Sequence, residues 1–371
     1  MKSTVRFLNL AVNDEDKKSK YIEALSQILQ DGKIVLGPQV AKFETNISGF
    51  TNRKYGIGVG SGTAALYLAI KALAIPEGSE VITSPLTWVS SVNAIYLNNL
   101  IPVFADIDSS LNLSPDSVQK WINPKTAAIL AVDFAGQMCD YKNLSDICKS
   151  HNLLLIEDSS QAMGAKSLLG PAGSQGIVSA TSHNPMKSLA ALGEAGSVTT
   201  DSLEIKNKLE ILRYSGTVNK SNCIEPSING RLDTFQAEVL NIRLESHPSI
   251  INRRNTNALF YRDNLHPSIG LPILSDFTEL HSYYTFQIML PNNRDQFMQK
   301  LLDDGIETKI QHDLLVPSQS FYRKMGFKGE FPLATKHSNN SLCLPIHEKL
   351  THEELEIVAR SVNKAACELC F

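Results

Sequence analysis

LLLIEDSSQAMGAKSLLGPAGSQGIVSATSHNPMKSLAALGEAG, residues 153–196, decides how the rest of the chain is read. It begins with four apolar residues, Leu153 to Ile156, and turns acidic at Glu157 and Asp158. A short apolar run ending in a carboxylate reads as a buried parallel strand that presents the carboxylate at its C-terminal end. In open α/β sheets that edge is where ligands sit. A loop with Gly170, Gly173 and Gly176 follows, then a second apolar run, Ile177 to Ala180, and then Ser182 and Lys187. A lysine just past a strand end is open to desolvation, which lowers its pKa and makes it a nucleophile toward carbonyls. An aspartate on one strand and a lysine soon after another is the pair a pyridoxal 5'-phosphate site requires. The lysine holds the aldehyde as a Schiff base, and the aspartate keeps the ring nitrogen protonated so that the ring accepts electrons. Taken alone, the two residues read more readily as a turn-capping aspartate and a solvated lysine, and the rest of the chain reverses that reading.

The outer bounds agree with an enzyme of this kind. At 371 residues the chain calls for a large domain plus a smaller one. Its 43% apolar and 20% charged content are those of a soluble globular protein. A net charge of −3 gives no electrostatic reason to expect nucleic acid or an acidic membrane as partner. No apolar run approaches a membrane span. The N-terminal stretch MKSTVRFLNLAVNDEDKKSK becomes charged too early for a secretory signal, so a cytoplasmic location is expected. Six cysteines, at 139, 148, 223, 343, 367 and 370, show no regular framework. Only Cys367-Glu-Leu-Cys370 is a close pair, and without a second pair or nearby histidines it makes no zinc site. Reduced thiols are expected, with a redox role for the tail as the weaker alternative.

Taken in order, Ile22, Leu25, Ile28 and Leu29 have helical spacing within residues 14–30, and Asp31-Gly32 stops that helix. A second helix runs from Pro38 to Ile47. Tyr55 to Ile75 reads as strand, glycine turn and helix. Gly60, Gly62 and Thr63 stand where helix N–H groups and the dipole favour a phosphate, or where a tight turn needs glycine for its backbone. After the strand Glu80–Thr83 comes Trp88, placed either to lie against an aromatic cofactor or to fill core. IPVFADID (101–108), AAILAVDF (127–134) and LLLIED (153–158) repeat the strand design with helices between, which indicates a mainly parallel sheet covered on both faces. Residues 197–200 add a strand and 203–214 a helix. Residues 215–231 read as a polar loop without structure of its own. Asp233 caps a helix to Glu245, and after Pro248 another runs to Leu265. The smaller C-terminal unit then has strands at 283–290 and 307–311, a helix near 294–303 and a last helix from Thr351.

Together these stretches resemble the DegT/DnrJ/EryC1/StrS family of pyridoxal-phosphate-dependent sugar aminotransferases along nearly the whole chain. SGTAAL (61–66) resembles the family's phosphate-cradle turn, which implies Gly62 and Thr63 at the phosphate. EVITSPLTWVSSVNAI (80–95) resembles the segment carrying the ring-stacking aromatic, here Trp88. IEDSSQAMGA (156–165) implies Asp158 on the pyridinium nitrogen and Gln161 beside the ring hydroxyl. SHNPMKSLAALGEAG (182–196) implies Ser182 as a phosphate ligand and Lys187 as the Schiff-base residue. INGR (228–231) resembles the segment whose Asn, here Asn229, reaches the phosphate across a homodimer interface, and CLPIHEKLT (343–351) resembles the closing motif before the last helix. The resemblance implies an α/β protein of fold type I, like aspartate aminotransferase. Its large domain would be residues 1–245, with a mainly parallel seven-stranded sheet flanked by helices, and its small α+β domain residues 246–371. It implies transfer of an amino group from L-glutamate (or glutamine) to a nucleotide-linked or phosphorylated keto-sugar in amino-sugar biosynthesis.

Four departures stand near the expected substrate. Thr181-Ser182-His183 replaces an aromatic-Ser-aromatic pattern, and Gly176-Ile177 replaces a Gly-Asp pair. Asp133 stands where a histidine is common, and the usual histidine-tyrosine pair reads His312-Asp313. Asp133, His183, His281 and His312 are therefore open as substrate contacts, and His183 is equally read as packing. Sugar dehydratases among the relatives replace the lysine by histidine, whereas Lys187 is present here. A catalytically idle regulatory or binding relative would not need Lys187, Asp158, Ser182 and Asn229 together. A nicotinamide enzyme would want a Gly-x-Gly-x-x-Gly turn with an acidic residue further on, and no convincing one is found.

Overall fold

Aliphatic runs buried on both sides build the central sheet: β1 (Tyr55–Val59), β2 (Glu80–Thr83), β3 (Ile101–Phe104), β4 (Thr126–Val132) and β5 (Leu154–Asp158). A small hairpin, β6 (Lys166–Ser167) and β7 (Gly170–Pro171), precedes β8 (Val178–Ser182) and β9 (Gly196–Thr200). The computed structural model describes residues 5–271, 273–327 and 329–369. The seven-stranded sheet has the order β1-β9-β8-β5-β4-β2-β3, parallel throughout except for β9, which runs antiparallel to both β1 and β8. The C-terminal ends of β2, β4, β5 and β8 consequently open on one edge, the edge at which α/β sheets bind ligands.

Helices cover both faces. On one face α3 (Gly62–Ala72) buries Ala65, Leu66, Leu68 and Ala69 against Ile57, Val59, Ile156 and Val198. The other face carries α5 (Pro115–Gln119) and α6 (Tyr141–His151), whose Val118, Leu144 and Ile147 meet Ile82, Ile129 and Leu155. Between α3 and α5, α4 (Val89–Tyr96) leaves the end of β2, and α7 (Leu203–Arg213) follows β9. The N-terminal helix α1 (Glu15–Asp31) is capped by Asp14, which accepts from Lys17 N at 3.1 Å, and it stops at Gly32 with φ 67°. α2 (Pro38–Phe50) sets Val40, Phe43 and Ile47 against Leu189, Ala191 and Leu240.

The remaining chain makes a second core. After the hairpin β10 (Thr217–Val218) and β11 (Asn222–Cys223) comes α8 (Thr234–Asn264), followed by β12 (Thr278–Leu280), which pairs with β6. β13 (Phe286–Met289) pairs antiparallel with β14 (Ser341–Leu344). Around them pack α9 (Arg294–Asp303), the later half of α8, and α12 (His352–Glu368), which begins with a capping box of Thr351 and Glu354. α10 (Ser320–Lys324) and α11 (Pro332–Asn340) bring Tyr322 and Ala334 over the Phe104 and Phe134 side of the sheet. Val5 belongs to this second core and bridges to Ile306, so the N-terminus crosses onto the C-terminal unit.

Three local expectations give way. α8 runs unbroken for 31 residues through Pro248, in place of the two helices expected on either side of it. A proline within a helix costs about 3 kcal/mol; here Leu240 and His247 on one side and Ile251, Arg254 and Ala258 on the other are all buried, and their packing holds the helix across it. Residues 215–231 carry a hairpin and the bridges Tyr214–Asn229 and Val59–Arg231, so the polar stretch is ordered by backbone pairing that composition does not reveal. The strand expected from Tyr283 starts at Phe286, because Tyr283 has φ 45°, and residues 307–311 make only an isolated bridge, Lys309–Cys343.

Phe43 is fully buried beneath the lysine segment, edge-on to the His183 ring at 5.5 Å. Phe43→Ala is expected to cost about 3–5 kcal/mol in urea unfolding; a loss below about 1 kcal/mol would mean this contact is dispensable.

Candidate active site

Strand alternation sends Glu157 and Asp158 to opposite faces. Glu157 turns into the packing below, where it accepts from Gly173 N at 2.6 Å and Gln175 N at 2.8 Å. Asp158 turns toward the open edge, 3% exposed, and accepts from Ser91 Oγ at 2.8 Å and Ser160 N at 3.1 Å. Nearby, Gln161 Oε1 accepts from Ala135 N at 3.0 Å and Gln311 Nε2 at 3.2 Å.

A second polar centre lies at the start of α3. Ser61 caps the helix, accepting from Ala64 N at 3.1 Å, and the N–H groups of Gly62 and Thr63 begin the first turn. Gly62 packs so closely on β8 that a Cβ there would fall 2.4 Å from Ser182 Cβ; a Cβ at Gly196 would meet Ser61 O at 2.4 Å. Only glycine at both positions lets the helix end approach Ser182. Ser182 N donates to Ser160 Oγ at 3.1 Å, and Thr63 Oγ1 donates to Ser90 Oγ at 3.0 Å.

Lys187 follows the turn after β8, with Nζ 4.3 Å from the centre of the Tyr284 ring. Trp88, at the start of α4, is 62% exposed and lines the same cavity, so it fills no core. The cavity holds about 480 Å³ and brings together Gly62, Thr63, Trp88, Asp158, Gln161, Ser182 and Lys187, a volume typical of small-molecule sites. A larger cavity of about 760 Å³ lies behind it under residues 8–14, sharing only Met186 and Lys187. Its basic groups are spent on the chain itself: Arg243 donates to Ala190 O at 2.7 Å, and Lys349 to Asn9 O at 2.8 Å. The smaller cavity has the chemistry. An amine, a buried carboxylate, an exposed indole and a helix N-terminus beside a serine are the donor set that a phosphorylated pyridine aldehyde needs, and the residues fit that cofactor.

Asn229 is not among the residues lining this cavity; it lies on the surface and accepts from Arg231 Nε at 2.7 Å. Asp133 is wholly buried, accepting from Cys139 N at 2.9 Å and Tyr141 Oη at 2.8 Å, away from the cavity. His183 is core: one ring nitrogen faces Leu189 O at 3.1 Å and the other Ser197 Oγ at 2.9 Å, and burial pushes its pKa down to about 4. His281 stacks on Tyr283 at 4.0 Å, outside the cavity. Of the four open positions only His312 lines it. Sequence reasoning did not find Ser91, Glu194, Tyr284, Lys309 and Gln311, which line it too. Ser91 lay within a segment already singled out, whereas the last three come from the C-terminal unit and carry no local signal. Cys139, Cys148, Cys223, Cys343 and Cys367 are free thiols, and Cys370 lies outside the described residues. Among the described residues no helix is long and apolar enough to cross a membrane.

Residues 15–363 match the model of the DegT/DnrJ/EryC1/StrS aminotransferase family. The dTDP-3-amino-3,6-dideoxy-alpha-D-galactopyranose transaminase of Aneurinibacillus thermoaerophilus is 32% identical over 362 residues, covering 97% of this chain and 99% of that one. A pleiotropic regulatory protein of Geobacillus stearothermophilus is 30% identical over 363 residues, 96% of this chain and 97% of its own. Among solved structures, S. venezuelae DesV in complex with a ketimine intermediate superposes with a TM-score of 0.94 at 31% identity, over 98% of each chain.

The buried Asp133 carboxyl is raised well above its usual range, chiefly by burial and then by the neighbouring Glu157, which burial also raises. The folded chain therefore keeps a proton that the unfolded chain releases near pH 4, and this group's contribution to stability falls as pH rises above that point. Asp133→Asn removes the proton while retaining the acceptor for Cys139 and Tyr141. Its melting temperature is expected to gain on the parent between pH 5 and pH 8; parallel profiles would refute a protonated Asp133.

Proposed function

The chain belongs to the DegT/DnrJ/EryC1/StrS family of pyridoxal-phosphate-dependent sugar aminotransferases, and from that premise we propose that it moves an amino group from L-glutamate to a nucleotide-linked or phosphorylated keto-sugar, with Lys187 and Asp158 as its catalytic residues. The observation that carries this is the convergence in one cavity of the Lys187 amine, the buried Asp158 carboxylate and the close approach of Gly62 to Ser182.

Lys187 would be the attachment amine for the cofactor, Asp158 the partner of its ring nitrogen, and Trp88 the cover of one ring face. Ser182 and the first-turn N–H groups at Gly62 and Thr63 would hold its phosphate, with Gln161 beside the ring hydroxyl. When bound, the cofactor supplies an electron sink for the carbon that loses its proton. Asp158 makes that sink effective, because a carboxylate shielded from water and fixed by Ser91 and Ser160 keeps the facing nitrogen protonated. Lys187 Nζ would take the proton from the donor's α-carbon as general base and deliver it to the cofactor's former aldehyde carbon as general acid; in the return half-reaction it would carry a proton from that carbon to the former carbonyl carbon of the sugar. The Tyr284 ring would steady the ammonium form within each of those proton shifts.

Asn229 is exposed and does not line its own cavity, which supports a homodimer in which each copy's Asn229 reaches the neighbouring phosphate. A cytoplasmic enzyme is the matching location. The regulatory name of the Geobacillus protein supports a second, non-catalytic reading, and activity separates the two.

With L-glutamate and a panel of keto-sugar nucleotides and keto-sugar phosphates, the purified chain should release 2-oxoglutarate and form an amino-sugar. Lys187→Ala should lower turnover by at least about 10²-fold with an unchanged far-ultraviolet circular dichroism spectrum; substantial residual transamination would refute the role given to the lysine. Asn229→Ala should weaken cofactor retention in a chain that sediments as a dimer, and full activity from a strict monomer would overturn the shared site.

A further inference from the structure

Four charged side chains line the cavity: Asp158, Glu194, Lys187 and Lys309. Asp158 is engaged with Ser91 and Ser160. Glu194 Oε1 accepts from Asn184 Nδ2 at 2.7 Å. Lys187 is committed to the reaction. Lys309 alone is unassigned, and among the described residues its ammonium has no carboxylate partner. Its backbone is nevertheless held firmly, since Cys343 N donates to Lys309 O at 2.8 Å and Lys309 N to Cys343 O at 3.2 Å. Two residues on, the Gln311 side chain is tied to Gln161, so the segment is fixed at both points.

Beside it stands His312. Its ring lies 5.6 Å from that of Phe134, and its Nε2 is shielded from solvent without a hydrogen-bond partner. Burial, then His337, then the ammonium groups of Lys309 and Lys187 lower its pKa to about 3, so the imidazole is neutral and flanked by two cations. A buried nitrogen without a partner is costly unless a ligand supplies one. An unpaired ammonium next to it in the same cavity says what kind of ligand: one with negatively charged oxygen.

Resting on the aminotransferase reading above, we infer that Lys309 and His312 form a recognition arm for an oxyanion carried by the keto-sugar acceptor, Lys309 pairing with its charge and His312 Nε2 completing the hydrogen bonds. A ring carboxylate, a ring phosphate and the diphosphate of a nucleotide share this chemistry. Neutral keto-sugars without a phosphate are the class the arm disfavours, because they offer the exposed Lys309 ammonium no charge to pair with.

The test is calorimetric binding of three non-reacting probes, UDP-glucuronic acid, UDP-glucose and glucose 6-phosphate, to the cofactor-loaded full chain. Lys309→Met should weaken the recognised probe by roughly tenfold or more, Lys309→Arg should restore most of it, and His312→Phe should weaken the same probe. Loss confined to UDP-glucuronic acid assigns the carboxylate, equal loss for both nucleotides assigns the diphosphate, and loss for glucose 6-phosphate assigns a phosphate monoester; each supports the arm. Unchanged affinity of Lys309→Met for all three, or no binding of any probe by the parent chain, overturns it. Release of 2-oxoglutarate from L-glutamate by the parent chain tests the aminotransferase reading separately, so the two can fail independently.

Discussion

A carboxylate withdrawn from water must find positive charge, and Asp158 is such a group. It sits at the end of β5, 3% exposed, with the Ser91 hydroxyl and the Ser160 N–H as its donors. Neither donor is a cation, so the charge remains to be met from the cavity side. A protonated ring nitrogen of the cofactor would meet that need, and the same pairing would keep the ring able to accept electrons. The strand cannot drift, because β5 lies between β4 and β8 and the Asp158 carbonyl accepts from Asp133 N at 3.0 Å. A central, doubly flanked strand is the rigid mount that such a pairing requires.

The other end of the cofactor is governed by backbone approach. Asp158 pairs in register with Ala180, and Ser182 lies two residues further along the neighbouring strand, on the same face. The helix start at Gly62 then closes on Ser182 because neither position 62 nor position 196 carries a side chain. The reversal of β9 matters here: its first residue, Gly196, lies against Ser61 at the helix end, joining the return of the lysine segment to the phosphate cradle. The Asp158 carboxylate and the Ser182 hydroxyl thus come from adjacent strands of one sheet, and the N–H groups from the helix that closes on Ser182.

This explains which parts were legible in sequence. The seven strands, the glycine turn and the aspartate–lysine spacing are encoded within short windows, where a strand of apolar residues, a turn residue and a polar end stand side by side. Gly62, Asp158, Ser182 and Lys187 could be named for that reason, and all of them line one cavity. For Trp88 the residue alone leaves stacking and core filling both open; the family resemblance points to the cofactor, and the fold shows the ring bare. Asp133 and His183 marked departures from a family pattern, but their side chains turn into packing, and a strand end does not reveal which way its neighbour's side chain is needed. Pro248 reads as a helix break because helix rules weigh local cost, whereas burial on both sides of the proline outweighs it.

The C-terminal contribution was hidden for a different reason: it depends on α8. Arg254 on that helix donates to Tyr283 O at 2.9 Å, and Asn255 donates to His281 O at 2.7 Å, fixing a turn in which Tyr283 adopts φ 45°. Ser282 N then donates to Gly136 O at 2.9 Å, pinning the turn to the large sheet. Tyr284 is the next residue but one, and its ring is delivered beneath Lys187. A helix broken at Pro248 would let Arg254 and Asn255 move apart from the sheet, and the turn would lose its alignment with the lysine. The uninterrupted helix is therefore what joins the cavity residues of the large sheet, all from before residue 230, to Tyr284, Lys309, Gln311 and His312, which line the same cavity from the C-terminal unit.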